Sequence, residues 1–112
     1  MESFSDKYRA VSRRSLDLRT NSIGVGITEN NNVRFTIDDS YYSGSMKYYV
    51  AGRKVNGIIV FSETNEINID FQHSIKIESS NSLVNSSNCK LAYKGEKQEN
   101  GIYDYVIMFT NI

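Results

Sequence analysis

The chain has 112 residues, with 13 basic and 13 acidic side chains, one histidine, one cysteine and no proline. This length predicts a single domain over residues 1–112, and the net charge of zero argues against a global field that would concentrate nucleic acid or anionic lipid. The lone Cys89 excludes an internal disulfide framework, and the sequence contains neither an apolar export signal nor an apolar run of membrane-spanning length. We therefore expect a cytoplasmic protein that does not enter a membrane.

The first predicted element is a helix over residues 4–14. Phe4, Tyr8 and Val11 follow the i, i+4, i+7 spacing of one apolar stripe. Because a helix this short is marginal in isolation, we expect its stripe to dock on the rest of the domain.

From Ser15 onward the period of the apolar residues changes to two, which is typical of a sheet with one buried face. Alternation predicts strands over residues 16–19, 23–28 and 33–38. The polar run of residues 29–32 between the last two predicts a hairpin connection.

The middle of the chain predicts a second hairpin. Residues 46–55 and 58–62 flank Asn56 and Gly57, the pair that favours a type I′ turn, while a turn at residues 51–54 is the competing assignment. In residues 66–78 the apolar side chains share odd parity, which predicts one long bent strand or two strands joined by a bulge near His73.

The C-terminal part predicts a polar loop over residues 79–88, a strand from Cys89 and a last strand over residues 102–112. The last strand is apolar on both faces, so we expect it to be central in its sheet or to lie between the sheet and the helix. The fold class is thus mainly β: an antiparallel β-sandwich or half-barrel of about seven to eight strands with a short N-terminal α-helix.

The most unusual local composition lies between residues 41 and 49, where tyrosine pairs flank a Ser-Gly-Ser stretch interpreted as a loop. Tyrosine offers a large contact area with little rotamer entropy to lose, and Ser and Gly adapt their backbone, as in many protein-binding surfaces. An ordinary hairpin is the alternative interpretation. The predicted anchors are Tyr41, Tyr42, Tyr48 and Tyr49.

Acidic residues gather in the stretch that follows. If residues 66–78 are a strand, parity places Glu66, Asp70 and Glu78 on its solvent face, where they would form an acidic stripe for a basic partner. Glu63, Glu66 and Asp70 are the predicted charge-complementary contacts, and an ordinary solvated face is the alternative.

The single histidine, His73, is interpreted as a packing residue with both ring nitrogens satisfied. A metal site needs three or four ligands, and His73 with the distant Cys89 has no recognisable ligand spacing, so no metal and no cofactor are predicted. A carboxylate within hydrogen-bond distance of His73 at the floor of a cleft would instead favour an enzyme, which the sequence does not predict.

These observations favour a small inhibitory module that binds another protein. The concrete hypothesis is an immunity protein that neutralises a bacterial toxin, such as a basic nuclease, by occluding its active site. The alternative is a β-barrel that binds a small apolar ligand with the N-terminal helix as a lid. Nucleic-acid binding through tyrosines and Lys47, Arg53 and Lys54 ranks lower, because the chain has neither net positive charge nor a recognisable RNA-binding motif.

Overall fold

The computed structural model describes residues 26–111. Their strands pair antiparallel in one six-stranded sheet with the order β4-β1-β2-β3-β6-β5. The two edge strands, β4 and β5, come back into contact, so the sheet curls into a half-barrel. The elements in chain order are β1 (Thr28–Ile37), β2 (Ser40–Ala51), β3 (Lys54–Glu63), β4 (Ile75–Glu78), α1 (Ser82–Asn85), β5 (Asn88–Lys94) and β6 (Tyr103–Thr110).

The concave face of the sheet holds the main hydrophobic core, which we call the concave core. The ring of Phe61 lies 5.0 Å from that of Phe35 and 5.1 Å from that of Tyr105, so aromatic side chains from three strands pack together. The short helix α1 contributes the fully buried Val84 and is capped by Asn81, whose side chain accepts hydrogen bonds from two backbone amides of the helix. The buried members of the concave core are Val33, Phe35, Ile37, Met46, Tyr48, Val55, Ile59, Phe61, Ile67, Ile77, Val84, Leu91, Tyr105, Ile107 and Phe109.

A second, smaller hydrophobic cluster lies on the opposite, outer face of the sheet. It comprises Tyr49, Ile58, Val60 and Val106, all exposed by 4% or less, and we call it the outer cluster. Val106 alternates with Tyr105 and Ile107 of the concave core, so β6 is apolar on both faces. β6 also lies between β3 and β5, which confirms its predicted central position.

The tight turns differ from the predicted hairpins. Asn56 and Gly57 lie inside β3 and do not form a turn; the competing assignment is correct, because the chain reverses after Ala51 with Gly52 at φ +64°. Gly57 is required for packing, since a Cβ atom there would collide with the ring of Phe109 and with Tyr48. The β1–β2 turn is made by Asp38 and Asp39, with φ values of +50° and +71°, the signs that a type I′ turn requires.

Three predicted connections or strands are wrong: in the first two, strand pairing overrides local polarity, and in the third most of the predicted strand does not pair. Residues 29–32 lie within β1 and are accommodated by a bulge between Asn30 and Val33, not by a hairpin. Residues 43–45 lie within β2, where a Cβ atom on Gly44 would lie 2.6 Å from the carbonyl oxygen of Val60. Of residues 66–78, only Ile75–Glu78 pair as a strand.

The described residues contain six strands, fewer than the predicted seven to eight. The predicted helix over residues 4–14 and the predicted strand over residues 16–19 lie outside the described residues. Residues 26 and 27 precede β1, so within the described part of the chain the strand predicted over residues 23–28 is seen only at Thr28.

Candidate functional site

Three of the predicted contact residues lie together in an open cleft at one end of the sheet, where β1, β2 and β3 run side by side. We call it the tyrosine cleft; it has a volume of about 510 Å³. Tyr41 and Tyr42 enter it from the start of β2, and Glu63 enters it from the end of β3. The antiparallel order of the strands brings these two chain segments together. Its lining residues are Asn32, Arg34, Tyr41, Tyr42, Ser43, Ser62 and Glu63.

Tyr41 is the most exposed aromatic side chain of the cleft, at 61%. The guanidinium carbon of Arg34 lies 4.1 Å from the centre of its ring, a cation–π contact. Arg34 is also held from the other side, because its Nε atom lies 4.0 Å from a carboxylate oxygen of Glu78 on β4. The ring of Tyr41 is therefore exposed to solvent on one side and contacts Arg34 on the other.

Tyr42 lines the cleft while its ring packs on the concave core. The centre of the Tyr42 ring lies 5.9 Å from that of Phe35 and 5.8 Å from that of Phe61. Burial raises the pKa of the Tyr42 hydroxyl above its ordinary value, and the negative charges of Glu63 and Asp38 add to this effect. The hydroxyl therefore stays protonated at physiological pH and is available as a hydrogen-bond donor.

Tyr48 and Tyr49 do not line the tyrosine cleft. Tyr48 is 9% exposed in the concave core, with its ring 6.4 Å from that of Phe109, and Tyr49 is 4% exposed in the outer cluster. Adjacent residues of one strand point to opposite faces, so the pair is divided between the two hydrophobic layers.

The predicted acidic residues occupy three different environments and do not form the stripe expected from a single strand. Glu63 lies in the tyrosine cleft. Glu66 pairs with Lys94, whose hydrogen bond lowers the pKa of the Glu66 carboxyl, and the Lys94 ammonium lies 5.0 Å from the ring centre of Tyr103. Asp70 lies in the segment between β3 and β4, beside other clefts. The stripe prediction was wrong because residues 64–74 are not extended in the sheet.

The segment of residues 64–74 is fixed at both ends. Near its start, the backbone amide of the buried Ile67 donates a 2.7 Å hydrogen bond to the hydroxyl of Tyr105. Near its end, the ring of His73 hydrogen-bonds through Nδ1 to Asp38 and through Nε2 to the carbonyl oxygen of Asn68. Between these anchors the segment holds Phe71, which is 68% exposed.

His73 thus has both ring nitrogens engaged, as predicted. With a carboxylate and a carbonyl as its two acceptors, the doubly protonated ring is favoured, and the hydrogen bonds to Asn68 and Asp38 raise the pKa of His73 above its ordinary value. The hydrogen bond with His73 and the one from the backbone amide of Ser74 lower the pKa of the Asp38 carboxyl below its ordinary value.

A second cleft, of about 460 Å³, is lined by His73 together with Phe71, Cys89 and Leu91. It brings a histidine and a cysteine, two residue types used in nucleophilic catalysis, into one lining, while Asp38, the carboxylate partner of His73, does not line it. However, both nitrogens of His73 are occupied by other partners, and burial raises the pKa of the Cys89 thiol, which lowers the fraction of nucleophilic thiolate. No group of three or more potential metal ligands is found among residues 26–111.

Sequence reasoning missed Arg34, Asp38 and Asp104 as organising residues. Asp104 is 4% exposed and accepts hydrogen bonds from the Ser62 hydroxyl at 2.6 Å and from the Gln98 amide at 2.5 Å. A signal existed for Asp38: two consecutive aspartates between apolar strands favour a left-handed turn. Nothing in the local sequence identifies Asp104 as buried.

In comparisons with known proteins, no family model, curated protein or solved structure matches the chain. Of residues 26–111, no helix has the length and apolar character needed to cross a membrane.

Proposed function

We propose that the chain binds another protein through the tyrosine cleft. The concrete form of this proposal is an immunity protein that neutralises a bacterial toxin by covering the toxin's active site. The observation that supports it most is the convergence of Tyr41, Tyr42 and Glu63, predicted from separate parts of the sequence, on one open cleft.

The chemistry of the cleft suits a protein partner. The exposed ring of Tyr41 supplies apolar contact area, and the contact with Arg34 reduces the rotamer entropy that binding would cost. Tyr42 adds a protonated hydroxyl, and Ser43 and Ser62 add small adaptable hydroxyls at the walls. A large aromatic centre with a polar rim is the usual composition of a protein-binding hot spot.

The charge pattern favours a partner with a basic group opposite Glu63. Within residues 26–111 Glu63 makes no ion pair, whereas Glu66 is neutralised by Lys94. A cationic side chain of the partner would therefore find Glu63 available, and the exposed Asp39 in the neighbouring turn adds negative charge. Such complementarity speeds encounter more than it raises affinity.

The remaining predicted contacts enter the proposal differently. The burial of Tyr48 and Tyr49 gives them a supporting role beneath the surface, and Glu66 and Asp70 would act as peripheral charges outside the cleft. The small-ligand alternative stays a prediction; the concave face on which such a ligand would bind is occupied by the packed rings of Phe35, Phe61 and Tyr105.

The test begins with partner capture from a lysate of the native host and continues with affinities measured by calorimetry on the purified partner. We expect Tyr41→Ala and Glu63→Lys each to weaken binding at least tenfold, about 1.4 kcal/mol. The matched controls are Tyr93→Ala on β5 and Glu99→Lys near the β5–β6 turn, both outside the cleft, for which we expect less than a threefold change, about 0.7 kcal/mol. Equal effects of cleft and control variants would refute the site.

The toxin-neutralising form has its own readout. If the captured partner is a toxin, stoichiometric addition of the chain should abolish its activity, and Tyr41→Ala should restore activity in proportion to the lost affinity. A captured partner that stays fully active in the complex would rule out occlusion while leaving protein binding intact.

A further inference from the structure

Both ring nitrogens of His73 face hydrogen-bond acceptors. Nδ1 lies 2.5 Å from the Asp38 carboxylate, and Nε2 contacts the backbone carbonyl oxygen of Asn68. A neutral imidazole carries a single N–H group, whereas the protonated ring carries two. Only the protonated ring can therefore donate to both partners at once, and the loss of its proton removes one of the two hydrogen bonds.

The hydrogen bond to Asn68 is the weaker of the two. If the remaining proton of the neutral ring stays on Nδ1, it keeps the charge-assisted hydrogen bond to Asp38. The lone pair of Nε2 then faces the lone pairs of the Asn68 carbonyl oxygen and repels them. The opposite tautomer would turn a nitrogen lone pair toward an anionic carboxylate, which costs more electrostatic energy.

The contact between His73 and Asn68 closes a loop of residues 68–73, which we call the histidine loop. Within it, the backbone amide of Asp70 donates to the Asn68 side chain at 2.8 Å, a contact that does not involve the imidazole. The loop carries Ile69 and Phe71, which are 37% and 68% exposed. Because side chains this exposed contribute little packing energy, the hydrogen bond across the ends of the loop has a large share in its order.

The residues on either side of the histidine loop are held by contacts that do not use the ring. The amide of Ile67 donates to the Tyr105 hydroxyl at 2.7 Å. The amide of Ser74 donates to Asp38 at 2.9 Å, and the amide of Asp38 donates to the carbonyl of Ser74 at 2.8 Å. Loss of the contact to Asn68 would therefore free the loop without displacing either flank.

We propose that His73 is a pH-sensitive switch: the protonated ring closes the histidine loop, and the neutral ring releases it. The hydrogen bonds to Asn68 and Asp38 raise the pKa of His73 above its ordinary value, so the loop is closed at pH 6.5 and is released at higher pH.

Release of the loop would reshape two clefts. Ile69 and Asp70 line both of them, at about 460 and 480 Å³, and Phe71 lines the first. The switch does not depend on the function proposed above, because no residue of the histidine loop lines the tyrosine cleft.

The charged and titratable groups around the ring come from three parts of the chain. Asp38 of the β1–β2 turn makes the direct contact. Asp70 of the histidine loop and Cys89 and Lys90 of β5 line the same cleft as His73. Burial raises the pKa of the Cys89 thiol, and carboxyl and ammonium groups ordinarily titrate well outside the neutral range. His73 is therefore the group among them that changes charge near neutral pH.

The test follows the full chain by NMR between pH 5.5 and pH 8.5. His73 is the only histidine, so its ring signal reports its pKa directly. Carbon relaxation at the Cα atom of Phe71 reports backbone order, with order parameters of about 0.85 for a rigid and below about 0.6 for a mobile backbone. We expect the Phe71 value to fall from the first range to the second with the midpoint of the His73 signal, while the values of Ile67 and Ser74 stay unchanged.

Asp38→Asn tests the conflict between the two acceptors. The oxygen of the new amide can still accept from Ser74, while its NH₂ group can donate to Nδ1, so the neutral ring can keep its proton on Nε2. We therefore expect the histidine loop of this variant to stay ordered up to pH 8.5. Asp70→Asn is the matched control: it removes a carboxylate of the same loop that is not a hydrogen-bond partner of the ring, and the wild-type transition should persist.

His73→Gln removes the titrating group and should abolish the pH dependence of Phe71 order. A Phe71 order parameter that stays constant through the wild-type His73 midpoint would overturn the proposal. It would equally be overturned by a pH-dependent loss of order that persists in His73→Gln or Asp38→Asn, or by one that extends to Ile67 and Ser74.

Discussion

The Nδ1 atom of His73 lies 2.5 Å from the Oδ2 atom of Asp38, and this ion pair joins the β1–β2 turn to the start of β4. The backbone strengthens the junction, because the amide of Ser74 donates to Asp38 at 2.9 Å and the amide of Asp38 donates to the carbonyl of Ser74 at 2.8 Å. The sequence separates these groups by 35 residues or more. The junction therefore holds an edge strand and a turn in one position.

The junction predicts a pH dependence of stability. The pKa of His73 is raised by folding, so its contribution is complete below the ordinary value of 6.5 and is lost as the pH rises through the folded pKa. The pKa of Asp38 is lowered, so its contribution is present above 3.8 and is lost as the pH falls through the folded pKa. We expect the junction to be strongest between these two values.

Thermal unfolding at pH 6.0 and pH 8.5 measures this effect. The melting temperature of the wild type should fall more over this interval than that of His73→Gln, because His73 is the only histidine and its stabilising contribution declines once the pH rises above the ordinary pKa of 6.5. The subtraction removes contributions from groups common to both proteins. Parallel pH profiles for the two proteins would show that the His73 proton does not stabilise the fold.

The hydroxyl of Tyr105 is predicted to stabilise the segment between β3 and β4. It accepts a hydrogen bond from the buried amide of Ile67 at 2.7 Å and donates to the carbonyl of Asn65 at 3.4 Å. Tyr105→Phe leaves the Ile67 amide without this partner, which we expect to cost about 1–3 kcal/mol in the free energy of unfolding. Denaturant titration measures it, with Tyr41→Phe, at an exposed ring, as the control. Equal stability of the two variants would contradict the prediction.

Gly57 is predicted to be intolerant of any side chain. A Cβ atom at this position would overlap the ring of Phe109, the Cβ atom of Tyr48 and the backbone of Lys47. Gly57→Ala should therefore destabilise the protein by about 1–3 kcal/mol or more through overpacking. Gly26→Ala is the control, since no atom of the described residues lies within 4 Å of the corresponding Cβ position. If the Gly57→Ala protein were as stable as this control, β3 and its neighbouring strands would accommodate the methyl group without a loss of stability, and the prediction would be wrong.

Much of the β architecture was predictable because a one-sided sheet leaves a period of two in the sequence. The buried odd positions of β1, such as Phe35, and the doubly apolar β6 were both recognisable in this way. The hairpin positions were not. Asn56 and Gly57 have the composition of a turn, yet they pair with Tyr49 and Tyr48 across the sheet. Position 57 is a glycine because the ring of Phe109 packs where a side chain would lie. Local turn preference is weaker than the packing and pairing of a central strand.

The candidate site was predictable only in part. Tyrosine-rich composition identified Tyr41 and Tyr42 as contact candidates, but strand alternation placed Tyr48 and Tyr49 in two separate hydrophobic layers. The acidic stripe failed because residues 64–74 leave the sheet, and the partner of each carboxylate depends on that path.

By itself, the sequence determined that the chain is mainly antiparallel β with a neutral charge, since both follow from composition and short-range periodicity. Only the tertiary structure decided that Glu63 joins Tyr41 in one cleft, that Asp38 meets His73 and that Asp104 is buried. These contacts join residues that are 22 or more positions apart or depend on burial by distant strands. The stabilising free energy of these contacts exists only once distant strands have packed together, so it cannot be predicted from a local pattern of residues.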